Sequence, residues 1–579
     1  MRVLPSLRAA AGLLFAAAAA RAAELRLNLV PEWAGQPIAV PSAAMSNASG
    51  QQLRLTRLSA LLSEFVLRRP DGSVLVLPVR CGFIDFASGR TEVSLGDVPA
   101  GDYSGLGFTI GLAPALDRSD ASQRPAGDPL NPLTDGLYWG WQGGYVFAAL
   151  EGNWWTATGP TRGFSYHLAA GAGPMKVRLG VPFSVNGPVA LHCAWDFAGM
   201  LRPMRFAADG STSSTHSRAD DPLARWMATA VTRAIGWRGI GPSSPCAASS
   251  DSALPSDVRG APRSQPVETV AFVVPAGFPQ PELPSDNPLT RPGIALGRAL
   301  FSDRRLSDNG RQACISCHQP EHAFSDTSGR STGADGTLGA RHAPSLLNLA
   351  WQPAFAWDGS KPRIRDQALA ALTGPSEMHG NLAAVTSSLA ADPATVAQFQ
   401  RAFGSAAVTP QRIGLALEQY LLTLVAADSR FDRAARGDGA LTAEERRGLE
   451  LFLTEYDPAR GRYGADCFHC HGGTLFGDFA YRDNGLGAAA DQGRGVVTGS
   501  AYDAGKFKTP SLRNVALRGP YMHDGSLPTL EAVVAHYAHG VKRTPNLDPN
   551  LGKHPDTGMD LSRGDQSALV AFLRTLTSR

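Results

Sequence analysis

Cys314-Ile315-Ser316-Cys317-His318 and Cys467-Phe468-His469-Cys470-His471 share one pattern, C-x-x-C-H, and it constrains this chain more than any other feature. Two thiols three positions apart can each add to a vinyl group of one porphyrin, and the imidazole that follows then reaches the iron. A zinc site would pair two C-x-x-C units without a fixed histidine after each, and a redox dithiol has no use for that histidine. Both motifs therefore read as covalent c-type haem sites, Cys314 and Cys317 with His318, and Cys467 and Cys470 with His471. The repeated signature implies two pseudo-equivalent lobes.

Covalent haem of this type is made outside the cytoplasm, and the first residues match that address. Arg2 and Arg8 precede an apolar run over 9–20, and Ala20-Arg21-Ala22 is a small-x-small cleavage site. Residues 1–23 therefore read as a signal peptide, too short in its apolar run for the ~20 residues of a spanning helix. The expectation is a periplasmic or secreted protein with no membrane span. The 54 basic and 51 acidic residues leave a net charge of +3 with no basic run, so nothing points to nucleic acid. At 579 residues the chain exceeds one hydrophobic core.

The remainder splits in two. Residues 24–241 read as a mainly β, sandwich-like domain: Leu25, Leu27 and Leu29 alternate with Arg26 and Asn28. Asp71-Gly72 marks a hairpin between 65–67 and 74–77. Further strands are expected at 83–86, 105–110, 145–150 and 175–179, and one helix at 222–235. Residues 242–286, rich in Pro and Ser, read as a linker. Residues 287–579 change to short helices joined by Gly-rich loops, clearest at 413–426 and 566–576, as expected of a mainly α di-haem domain.

Longer strings surround the haem motifs. Leu300-Phe301-Ser302-Asp303-Arg304-Arg305-Leu306-Ser307 leads into the first, and Pro344-Ser345-Leu346-Leu347-Asn348 and Phe355-Ala356-Trp357-Asp358-Gly359 follow it. Thr509-Pro510-Ser511-Leu512-Arg513-Asn514 and Pro520-Tyr521-Met522-His523-Asp524-Gly525 follow the second. These resemble the bacterial di-haem cytochrome c peroxidase superfamily, which includes the tryptophan-modifying MauG enzymes. The resemblance implies hydrogen peroxide as oxidant and a high-valent state shared between two haems. It also implies roles residue by residue. Tyr537, fourteen positions after His523, stands where the peroxidases place a methionine ligand and where MauG-type enzymes place tyrosine. A hard phenolate favours oxidised iron, whereas a thioether favours reduced iron. His536 and His539 are alternative ligands if the register differs. Trp357 matches a tryptophan relay between the haems. Gln367 and Glu377 match polar residues beside the peroxide-binding haem, with Glu377 as proton shuttle. The family carries Asn where this chain has His342, which weakens the expectation of calcium between the haems.

The first half has its own strings: residues 98–108, Pro129-Leu130-Asn131, Tyr138-Trp139-Gly140-Trp141-Gln142-Gly143-Gly144-Tyr145 and Phe164-Ser165-Tyr166-His167-Leu168. They resemble the MbnP family of secreted copper-binding proteins. Members are encoded beside MauG-like partners, MbnH, that convert one of their tryptophans to kynurenine. The resemblance implies that this chain fuses substrate and enzyme, with Trp139 or Trp141 as target. By itself a W-x-W pair puts two indoles on one strand face, for which core packing or a binding platform is the plain reading. Copper candidates are His167, His216 and Trp139 as kynurenine. His192 completes the histidines before the linker. Two other readings stay open: a detoxifying peroxidase fed by a reduced cytochrome, and a copper-acquisition protein matured by its haem half. A Cys81–Cys193 disulfide is expected, with Cys193–Cys246 as the alternative.

Overall fold

The computed structural model describes residues 22–139, 144–218, 220–242, 268–487, 490–555 and 558–578. Most of the expected signal peptide and residues 243–267, including Cys246, lie outside the described residues. Among the described residues no helix is long and apolar enough to cross a membrane.

The first half is built from strands whose two-residue period sends alternate side chains inward. In β1 (Ala22–Trp33), Leu25, Leu27 and Leu29 are fully buried between Arg26 and Asn28. The long β2 (Gln52–Arg68) is followed by the short hairpin of β3 (Tyr138–Trp139) and β4 (Gly144–Tyr145). Then come β5 (Ala148–Trp155), β6 (Arg162–Leu168), β7 (Val189–Asp196) and β8 (Ile235–Pro242). β1, β7 and β8 form one sheet, with β7 parallel to β1. The other runs Met175–Leu179, Gly105–Ile110, β2, β5, β6 and Ser214–Thr215. The two sheets share one core, in which Leu27 and Leu191 join Phe65, Leu150 and Phe164. α1 (Pro222–Arg233) starts where Asp221 accepts the Leu223 N–H and Pro222 occupies the first turn.

The second half is helical, in two lobes with separate cores. α2 (Arg291–Phe301), α3 (Ile364–Thr373) and α4 (Pro410–Leu422) belong to the first lobe. α5 (Ala443–Leu453), α6 (Leu530–Ala535) and α7 (Arg563–Thr575) belong to the second. Helix starts follow the caps: Thr409 accepts from the Arg412 N–H ahead of Pro410, so α4 begins three residues before the apolar periodicity does. The lobes repeat one close helix crossing. A Cβ added to Gly297 on α2 would lie 1.9 Å from the Ala416 carbonyl oxygen on α4, and one on Gly448 on α5 would lie 1.9 Å from that of Ala568 on α7.

Two expectations are corrected. Residues 268–286 are not a free tether. Phe278 is buried, packs 5.2 Å from Trp351, and Trp351 Nε1 donates to the Pro279 carbonyl at 2.7 Å. The apolar residues Val270, Phe272 and Val274 carry this strip onto the first lobe's core. The expected disulfide is absent, because Cys81 and Cys193 are both free thiols. Cys193 is locked in β7 opposite Leu29, whereas Cys81 precedes the strand Gly82–Asp85 of the other sheet. Burial pushes both thiols up to about 12.

The halves dock closely. A Cβ on Gly163 of β6 would lie 1.9 Å from the Pro549 carbonyl oxygen, and Asn153 Nδ2 donates to the Leu547 carbonyl at 3.3 Å. Asn131 Nδ2 reaches the Gln280 carbonyl at 3.0 Å. This contact brings β3, β5 and β6 against the second haem motif.

Candidate haem and metal centres

Both C-x-x-C-H motifs open onto one cavity of about 620 Å³ between the lobes, lined by Cys314, Cys317, His318, Cys467, Cys470 and His471. Its walls are largely apolar, with Leu417 and Leu421 on one side and Val534, Leu569 and Leu573 on the other. Each proximal histidine has its Nδ1 engaged: His318 on the Phe324 carbonyl at 2.9 Å, His471 on the Phe476 carbonyl at 3.2 Å. Nδ1 is thereby the protonated nitrogen, and Nε2 keeps its lone pair for a metal. Four thiols, two such imidazoles and an apolar slot fit two covalent haems.

The other expected residues line the same cavity. Trp357, half-buried, donates from Nε1 to the His342 carbonyl at 2.8 Å, which fixes its indole between the lobes. Gln367 on α3 and Glu377 just beyond it line the cavity, with Glu377 near enough to Cys314 and Cys317 to add to the rise that burial gives their thiols. Glu377 opens onto the cavity, and desolvation by the surrounding protein raises its carboxyl above the usual range. Tyr537 lines the cavity beside Cys467 and Cys470 of the second motif. It sits in a wide helical turn, His536–Gly540, of the kind often found at functional sites. Desolvation pushes its phenol up to about 12, and its hydroxyl lies 3.5 Å from Asn484 Nδ2. The alternatives point elsewhere: His536 Nε2 meets the Asn484 carbonyl at 3.1 Å, and His539 is exposed beside Gln566. The His342 ring is held by Ser325 Oγ and the Ser328 carbonyl, each at 3.0 Å.

A second centre lies where the halves meet. His167 of β6, His216 and His469 are buried, and one ring nitrogen from each lies within 4.8 Å of the others. Each has a buried carboxylate beside it: Glu151 at 2.9 Å from His167 Nε2, Glu455 at 2.8 Å from His216 Nδ1, Asp466 at 2.9 Å from His469 Nδ1. Lys553 bridges Glu455 at 3.3 Å and Asp466 at 3.0 Å. Desolvation holds His167 down to about 3 and His469 to about 4, so both rings are neutral at pH 7. Trp139 caps the cluster, stacked 5.5 Å from His216 and edge-on to His167 at 4.9 Å. It also meets Phe468 at 5.4 Å and His469 at 5.8 Å, both inside the second haem motif. Trp141 lies outside the described residues, and His192 sits on β7 in the other sheet.

The di-haem cytochrome c peroxidase family model matches residues 291–440, and the MbnP model matches 22–216. The methylamine utilization protein MauG of Methylorubrum extorquens is 39% identical over 308 residues, which span 52% of this chain and 83% of that protein. The chain belongs to the di-haem cytochrome c peroxidase family. Cytochrome c551 peroxidase of Nitrosomonas europaea is 33% identical, over 49% of this chain and 79% of its own length. A MauG-like protein associated with microbial copper homeostasis, of known crystal structure, is 33% identical; the match covers 53% of this chain and 95% of that one, with a TM-score of 0.48.

Within this peroxidase half the lobes repeat beyond the haem motifs. Asn348 and Asn514 both take a left-handed backbone, φ 58° and 56°, and both hold distant backbone by their side chains, Asn348 at Ala426 and Asn514 at Ser578. The turn that carries Trp357 has its counterpart in the turn that carries His523, and the His523 carbonyl accepts the His342 N–H at 2.8 Å. Sequence reading found His523 only as a ruler for Tyr537 and did not find His469. His469 occupies a variable position of the haem motif, and its partners His167 and His216 are more than 250 residues away.

Proposed function

We propose that this protein is an exported di-haem oxidoreductase that uses hydrogen peroxide to oxidise Trp139 of its own β domain to kynurenine. The observation that carries this reading is the packing of Trp139 on Phe468 and His469, 5.4 and 5.8 Å away between ring centroids, within the peptide that attaches the second haem. When bound, the haems supply oxidising equivalents taken from peroxide. The protein's part is geometric. Gln367 orients peroxide, Glu377 moves its proton, and Trp357 bridges the two sides of the cavity. Phe468 and His469 lead outward to the indole, so the substrate ring need not approach either iron.

The chemistry balances with peroxide as the only oxidant. Two molecules of hydrogen peroxide take four electrons from the indole, cleave its C2–C3 bond and leave N-formylkynurenine and two waters. Hydrolysis then releases formate. The residue gains one oxygen and loses one carbon, a mass shift of about +4 Da, by chemistry the haem cofactor carries and the protein only directs. The β domain would then hold copper through His167, His216 and the carbonyl or aniline group of residue 139.

Peptide mass spectrometry of the full-length, haem-loaded protein before and after peroxide tests the reading. The expected result is the kynurenine shift at Trp139. Intact Trp139 after repeated peroxide turnovers would reject self-modification. Rapid peroxide consumption with a reduced cytochrome as donor would then favour a detoxifying peroxidase.

A further inference from the structure

The histidine cluster draws His167 and His216 from the β half and His469 from the second C-x-x-C-H motif. His216 Nδ1 lies 2.8 Å from Glu455 and His469 Nδ1 lies 2.9 Å from Asp466, so a carboxylate stands on the Nδ1 side of each ring. Their Nε2 atoms face one another at 2.7 Å. Two ring nitrogens that close share either a proton or a metal ion, since bare lone pairs would repel at that distance. His167 turns its Nε2 to Glu151 and leaves Nδ1 buried with no hydrogen-bond partner. Three imidazoles thus bring one nitrogen each within 4.8 Å of one another, with a carboxylate beside each ring, the arrangement typical of metal-binding histidines. The three carboxylates are themselves held by cations, Glu151 by Arg57 and Glu455 by Arg462, each at 3.3 Å, and Glu455 and Asp466 by Lys553, so the carboxylates orient the rings without leaving the site short of charge partners.

We propose that His469, the variable histidine inside the second haem-attachment motif, is the third ligand of a copper site completed by His167 and His216. The metal is then held jointly by the β domain and by the haem peptide, and neither half alone contains the site. This rests on the copper reading above and adds the third ligand and the element that supplies it. An all-imidazole set with no thiolate suits copper, which also leads the divalent affinity order for such donors. For metal–nitrogen bonds near 2.0 Å the ligand atoms should settle roughly 3.5 Å apart, so the close His216–His469 pair opens and His167 moves in.

The site also couples two events. Copper bound to His469 lies two residues from His471, the proximal ligand of the second haem, and against the oxidisable Trp139. Metal loading is therefore linked to docking of the halves.

The test titrates the full-length holoprotein with cuprous ion against bicinchoninate, for wild type and for H469A, H167A and H216A, with haem content checked by pyridine haemochrome. H469A keeps both cysteines and His471, so haem attachment is retained. We expect H469A to weaken copper binding by roughly 100-fold or more, as H167A does, since even loss of an outer-shell partner costs 10- to 100-fold. X-ray absorption on the copper-loaded wild type should show three imidazole nitrogens, a readout independent of any variant. Wild-type affinity in H469A with full haem content, or two imidazoles in the wild type, would overturn the composite site while leaving copper on the β domain. No copper bound by the wild type would overturn the copper reading itself.

Discussion

Tyr537 and Glu377 sit on opposite sides of one cavity and make opposite demands on their protons. A phenol pushed up to about 12 gives up its proton only to a strong acceptor such as ferric iron. Tyr537→Phe should therefore abolish the six-coordinate low-spin signal of the second haem, read by electron paramagnetic resonance. An unchanged signal would move the ligand to His536 or His539. In the proposed role Glu377 accepts a proton from peroxide, and desolvation raises its carboxyl above the ordinary range. The reaction with peroxide should accordingly slow as pH falls through that raised value, where the carboxylate is lost. Glu377→Gln should remove this acidic limb and slow peroxide consumption by about 10²- to 10⁴-fold, measured by stopped flow. An unaltered pH profile in the variant would assign the proton transfer elsewhere. Both residues were legible in the sequence because a family spacing fixes them locally. His469 was not, because its role exists only through residues of another domain.

Helices and strands were legible where periodicity and caps agreed. The helix expected at 222–235 runs Pro222–Arg233, and the strands expected at 105–110 and 175–179 have those limits. Boundaries moved where a cap outran the apolar pattern, as at Thr409. The helix crossings were hidden in two glycines. Gly297 and Gly448 let α2 and α5 approach the carbonyls of their partners, where a methyl group would lie 1.9 Å from oxygen. Gly448→Ala should therefore destabilise the second lobe by about 1–3 kcal/mol, the usual cost of overpacking, seen as a lower Tm. Gly297→Ala should do the same to the first lobe. Equal Tm values for variant and wild type would mean that the crossing relaxes freely. The strip 270–278 carries the opposite lesson. Its Pro- and Ser-rich neighbours gave it the composition of a linker, yet its own apolar side chains find a core.

For the whole molecule the decisive contact is between the halves. Gly163 lies against Pro549, so Gly163→Val should wedge β6 away from the haem half. Peroxide consumption should fall less than conversion of Trp139 in that variant, since Gly163 itself does not line the haem cavity, while the conversion falls several-fold in peptide mass spectrometry. Conversion at the wild-type rate would show that the docked arrangement is not needed.

The sequence by itself determined two C-x-x-C-H motifs, two halves of different class and the family resemblances they carry, because covalent chemistry and local periodicity are written in short, contiguous strings. It also named Trp139, His167 and His216 one at a time. Only the tertiary structure decided that these three meet His469 and lie on the haem peptide. That meeting depends on a glycine at 163, a buried Lys553 and three carboxylates drawn from both halves. Packing between surfaces hundreds of residues apart leaves no periodic trace along the chain.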